Sequence, residues 1–95
     1  MRAADLLTLI TTSPTKREYK GIYCDLHDNL QALTSIQKKG ETQCVFLFEP
    51  NKPNLPMKEL LIFLMKNREK EILYQKGQEF YPLYGVKERA NQLVI

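Results

Sequence analysis

Long hydrophobic runs are missing from this 95-residue chain. The longest unbroken apolar stretch, Leu60 to Met65, has six residues, against the roughly 20 that cross a bilayer. No membrane span is expected. Near the start, Asp5 follows Arg2 closely, and Leu6 to Ile10 is too short for the apolar core of an export signal. Cysteine is scarce. Cys24 and Cys44 stand alone, which is not the framework of a small secreted domain. Together these features predict a cytoplasmic protein with two reduced thiols. Histidine occurs once, as His27. Cys24 and His27 have a paired ligand spacing, but Cys44 has no partner beside it, so the four-ligand pattern of structural zinc is incomplete. No metal is expected. The four glycines, at 21, 40, 77 and 85, are too scattered for a phosphate-binding loop. No carboxylates form a spaced pair in an apolar setting. The sequence therefore offers no catalytic residues and no cofactor site, and it reads as a non-enzyme.

What is present is an ordinary globular composition. Hydrophobic residues make up 43% and charged residues 26%, near the average for a packed domain. The length fits one domain spanning residues 1–95. Fourteen basic and eleven acidic residues give a net charge of +3. Neither half is a charged tail, so the balance permits nucleic-acid contact without requiring it. No internal repeat is visible.

Residues 3–11 read as a short helix with Leu6, Leu7 and Ile10 along one edge. Ser13-Pro14 suits the start of a second helix reaching Tyr23, with Tyr19, Ile22 and Tyr23 on its apolar side. Leu26, Leu30, Leu33 and Ile36 recur at helical spacing, between Asp25 as N-cap and Gly40 as terminator. That predicts a third helix whose outer face shows His27, Asp28, Gln31, Thr34, Ser35 and Lys38. Gln43 to Phe48 reads as a strand apolar on both faces. Glu49 to Pro56 holds three of the five prolines and reads as a loop. Met57 to Lys70 fits a helix, since Met, Lys, Glu and Leu are good helix formers. Its run from Leu60 to Met65 is also compatible with a buried strand. Glu71 to Tyr84 reads as a hairpin around Lys76-Gly77-Gln78, with Pro82 confining the second strand to an edge. Residues 86–95 fit either a short helix or a last strand.

Helix, helix, helix, strand is an order with a known counterpart. Thr15-Lys16-Arg17-Glu18-Tyr19 looks like the start of a second helix, and Asp25 through Lys39 with Gly40 looks like a recognition helix and its closing glycine. Over residues 5–48 the chain resembles the winged helix-turn-helix superfamily. The resemblance implies an α+β single domain: a winged-helix-like three-helix first half (1–48), then a helix plus hairpin (57–95) forming a small antiparallel sheet and a dimerisation element. The wing would be the loop 49–56 with Lys52 at its tip, or the hairpin at Lys76 and Gly77. The implied function is a small DNA-binding transcriptional regulator. Lys16, Arg17, Lys20, Lys38 and Lys39 would meet phosphates. His27, Gln31, Thr34 and Ser35 would reach base edges of double-stranded DNA.

A rival reading needs no DNA. A leucine stripe is commonly just a core face, and its polar flank just solvated. The stretch Leu60 to Met65, with Leu60, Leu61, Phe63 and Leu64 as its interface candidates, is apolar on every side, and such a helix needs cover all round. That predicts either a homodimer or a non-enzymatic interaction module, an adaptor or inhibitor docking on another protein, with Tyr81 and Tyr84 as neighbouring contacts.

Overall fold

Alternation with a period of two, more than the helical period, decides which side chains this chain buries. The computed structural model describes residues 1–12, 19–26 and 29–95. Among them the order is α1 (Ala3–Thr11), β1 (Gly21–Leu26), β2 (Asn29–Ala32), β3 (Ser35–Lys39), β4 (Gln43–Leu47), α2 (Met57–Lys66), β5 (Glu71–Lys76), β6 (Glu79–Pro82), β7 (Lys87–Arg89) and β8 (Gln92–Val94).

α1 begins where the Asp5 carboxylate accepts the Arg2 backbone N–H at 2.9 Å, satisfying one donor that a helix start leaves orphaned. It buries Ala3, Leu6 and Leu7. α2 follows Pro56, a residue that cannot continue a helix backwards but suits its entry. It buries Leu60 and Leu64. β4 is apolar on both faces, as its composition predicts, and Cys44, Val45, Phe46 and Leu47 are all buried. β5 and β6 form the expected hairpin, with Gly77 at φ 67° in the turn, a conformation open to glycine at little cost. Pro82 lies on the edge strand β6, where its missing N–H breaks no ladder. Residues 86–95 contribute the hairpin β7–β8.

The winged-helix-like first half is overturned. Of its three helices only α1 forms among the described residues. Residues 14–18 of the expected second helix lie outside them, and of its remainder residues 21–23 belong to β1. The expected recognition helix is two strands, β2 and β3. Ile22 and Cys24 alternate inward, and β1 pairs antiparallel with β2, Cys24 opposite Gln31. The leucine stripe does not survive as one face. Leu33 is buried, Ile36 half-buried, and Leu30 is 37% exposed. Thr34, between the two strands, is tied to a distant segment. Its Oγ1 donates to the Leu47 carbonyl at 3.0 Å and accepts the Glu49 N–H at 3.1 Å. Nor is there one small antiparallel sheet. Two mixed four-stranded sheets form, ordered β2-β1-β8-β7 and β3-β4-β5-β6.

Both sheets join the chain's two halves. β1 runs parallel to β8 with Ile22 opposite Leu93. β4 runs parallel to β5 with Cys44 opposite Ile72. The order α1, β1–β4 thus recurs as α2, β5–β8, and each sheet takes one hairpin from each half. Equivalent residues lie about 50 positions apart. Leu33 N–H donates to the Ile22 carbonyl at 2.8 Å, and Leu83 N–H to the Ile72 carbonyl at 2.9 Å. Gly40 and Ala90 hold matching left-handed turns at φ 65° and 54°. The chain carries a structural repeat that its residues hide, since Cys24 stands opposite Tyr74 in this scheme and Gly21 opposite Glu71. One core gathers Leu6, Leu60 and Leu64 from the helices, Ile22 and Leu93 from one sheet, and Phe46 and Ile72 from the other.

Candidate functional site

α2 spends its two sides differently. Leu60 and Leu64, four residues apart, face the core and are almost fully buried. Leu61 and Phe63 are half-buried beside them and pack against the same core. The opposite face carries Ile62, 39% exposed, and Met65, 56% exposed. Between that face and the end of α1 lies a groove of about 620 Å³ lined by Ile10, Thr11, Tyr19, Met57, Lys58, Leu61, Ile62 and Met65. Six of those eight residues are apolar or aromatic. Tyr19, buried just before β1, is held by its hydroxyl, which donates to Glu88 Oε2 on β7 at 3.0 Å.

Charges of both signs border the groove, Glu88 among them through its bond to Tyr19. Among the described residues Lys58 is its only charged lining residue. Lys66 follows two turns later on α2, and Lys20 adjoins Tyr19; both are exposed. Glu59 is the carboxylate of α2 itself, and Glu69 beyond the helix is engaged by Arg2 at 3.3 Å.

Of the residues expected to face DNA, the described ones run from just before β1 to the end of β3. Lys16, Arg17 and His27 lie outside the described residues. Lys20 precedes β1. Gln31, Thr34 and Ser35 converge on Glu49 instead. Gln31 Nε2 donates to the Glu49 carbonyl at 3.3 Å, Thr34 accepts its N–H, and Ser35 Oγ donates to Oε1 at 3.3 Å. Lys52 Nζ meets Glu49 Oε2 at 2.7 Å, and that hydrogen bond holds the carboxyl below its usual range. These residues pin the start of the proline loop, beside a second cavity of about 510 Å³ that includes Gln37, Leu47, Lys52 and Gln75. Lys38 and Lys39 lie on β3 and alternate in direction. Lys39 Nζ sits 4.2 Å above the Phe80 ring, so its stem crosses the outer sheet face that carries Val45 and Leu73.

Cys24 and Cys44 are both buried. Burial pushes the Cys44 thiol up to about 11, with Lys70 pulling weakly the other way. Burial also raises Cys24. Among the described residues no three His, Cys, Asp or Glu side chains gather as a metal set. Tyr84 is 87% exposed, and Tyr81 stacks on Tyr74 at 5.6 Å between ring centres; neither lines the groove.

Of the four residues expected to form an interface, Leu60 and Leu64 are core, Phe63 packs against the core, and Leu61 lines the groove. Ile62 and Met65 belong to the expected docking stretch but were not singled out within it. The signal was available, because a helix that turns residues 60 and 64 inward must turn 62 and 65 away. Leu60 and Leu64 find their cover within the same chain, while Ile62 and Met65 stay exposed. Ile62 and Met65 are far short of the roughly 20–30 residues a side found in stable interfaces. No helix among the described residues is long and apolar enough to cross a membrane. The chain matches no known protein-family model, and comparison with characterised proteins and with solved structures finds no significant match.

Proposed function

We propose that this chain is a non-enzymatic docking module that binds another protein through the groove between α1 and α2. One observation carries the reading: Ile62 and Met65 stand exposed at the mouth of a concave apolar groove, on a helix whose other side is committed to the core. Scattered exposed hydrophobes are ordinary, whereas a concave cluster of them is characteristic of binding sites. Met57 and Met65 suit the purpose, since methionine repacks readily around different partners. The absence of catalysis from the proposal rests on the lining. Among the described residues it has one ammonium, Lys58, and a tyrosine hydroxyl already bonded to Glu88, which leaves little to move protons or attack a substrate.

The test is selection from an unbiased library of displayed peptides, followed by methyl NMR of the full chain with the selected ligands. Docking here shifts the methyls of Ile10, Leu61, Ile62 and Met65. Met65→Asp then weakens binding about tenfold or more while the unfolding midpoint holds. Ligands that shift other methyls and bind Met65→Asp equally well overturn the proposal.

A further inference from the structure

One loop joins two halves that otherwise hold each other by noncovalent contacts alone. β1 pairs with β8, and β4 with β5. Ala3 N–H donates to the Lys70 carbonyl at 2.9 Å, Lys20 N–H to that of Asn91 at 2.8 Å, and Ile95 N–H to that of Tyr23 at 2.9 Å. Inward positions of the repeat match in kind: Leu6 with Leu60, Ile22 with Ile72, and Leu33 with Leu83, all buried. None of these contacts depends on the two halves belonging to the same chain.

The joining loop is pinned at both feet on adjacent residues. Glu49 N–H donates to Thr34 Oγ1 at 3.1 Å, and Leu55 N–H to the Leu33 carbonyl at 2.8 Å. Between the feet, residues 50–54 are all exposed. Lys52 closes the turn there. Its N–H reaches the Glu49 carbonyl at a long 3.4 Å, and its ammonium meets the Glu49 carboxylate at 2.7 Å; a pair so open to water holds weakly. Pro50, Pro53 and Pro56 each bias the residue before them, Glu49, Lys52 and Leu55, toward extended backbone. Prolines also stiffen a linker. The loop therefore resists folding back more than a glycine-rich one would. We propose that two copies of this chain exchange halves through residues 50–54. α1 to β4 of one copy then pack on α2 to β8 of the other, in an intertwined dimer with two complete cores. The partner is a second copy because it carries the matching half. The inference rests on the interleaved strands and is independent of docking at the groove. Monomer and exchanged dimer share every contact outside the loop. Their balance is set by protein concentration against the effective concentration of one half for the other, about 1 mM for a short linker. Exchange requires both sheets to part, so a dimer once formed persists on dilution.

The full chain is refolded from denaturant at about 1 mM and at about 10 µM, and sized by light scattering directly after dilution; about half of the chains should be dimeric in the first case and a few per cent in the second. Gln43→Cys with Glu71→Cys puts thiols on register partners from the two halves. Oxidised, they close within one chain in the monomer and join two chains in the exchanged dimer, which a denaturing gel separates. Pro50→Gly with Pro53→Gly frees the turn and should lower the dimer share severalfold. A second measurement works at lower concentration. Leu6→Asp and Leu64→Asp each break one half of the core. Mixed in denaturant and refolded together, the two full-length variants should regain dispersed amide signals for residues 57–95 of the first, because its sound half meets the sound half of the second. Monomer alone at both concentrations, a dimer whose disulfides stay within single chains, or no rescue on mixing overturns the proposal. An unchanged dimer share in the glycine variant overturns it too, since the loop would then have no part in the exchange.

Discussion

Thr34 shows how one side chain can settle the course of a backbone. It lies where β2 hands over to β3, and its hydroxyl bridges the Leu47 carbonyl and the Glu49 N–H. Its own N–H donates to the same Leu47 carbonyl at 2.8 Å. A buried hydroxyl with both capacities used is costly to delete, because an orphaned backbone donor remains. Thr34→Val keeps the shape and removes both bonds. We expect a loss of about 1–3 kcal/mol, read as a lower urea midpoint at unchanged slope. Ser35→Ala removes one half-exposed 3.3 Å contact to Glu49 and should cost well under 1 kcal/mol. If the two variants lose equal stability, Thr34 does not organise the crossing. Gln31, Thr34 and Ser35 share a polar flank in the sequence, and all three bond to one residue. Their common target is Glu49, eighteen residues from Gln31, a separation that no local pattern reveals.

Elements were legible where local pattern and tertiary need agree. α1, β4, α2 and the hairpin β5–β6 lie where spacing and composition place them. Residues 19–39 were not legible, because two periods fit them. Leu26, Leu30, Leu33 and Ile36 satisfy a helical stripe; Ile22 and Cys24 satisfy a strand. Strand wins because β1 has partners on both sides, β2 and β8, and β8 comes from the far end of the chain. Weak local preference is routinely overridden by packing of that kind. α2 raises the opposite problem, since a run apolar all round does not say which side faces in. The two faces can be separated by experiment. Leu64→Ala opens a cavity at a site with no exposure and should cost about 2–5 kcal/mol. Met65→Ala, one residue on, should change stability by no more than about 0.5 kcal/mol. Thermal denaturation of the pair decides it: similar losses would mean that Met65 is core, and the groove would lose its reason to be open.

At the scale of the whole molecule, the interleaving of two similar halves governs cooperativity. Neither half can close its own sheets. β1 lacks a second neighbour until β8 arrives, and β4 waits for β5. Ile22 pairs with Leu93 across most of the chain's length, and both are almost fully buried in the common core. Contacts of such separation are paid for in loop-closure entropy before they return anything, so folding should be slow for a domain of this size. The last strand should also matter far beyond its three residues. Ending the chain at Gly85 removes β7 and β8. It uncovers Ile22 and Cys24 on β1, takes Leu93 from the core, and leaves Tyr19 without Glu88. A peripheral hairpin could be lost with local fraying. A hairpin whose inner strand completes a sheet and touches the single core cannot. The shortened chain should lose its sharp thermal transition and its dispersed amide spectrum throughout, including at α2 and β5, which stand in the other sheet or against it. A truncated chain that still melts in one sharp step, with the α2 and β5 amides unshifted, would show that the two sheets are stable independently and that the repeat is an accident of topology.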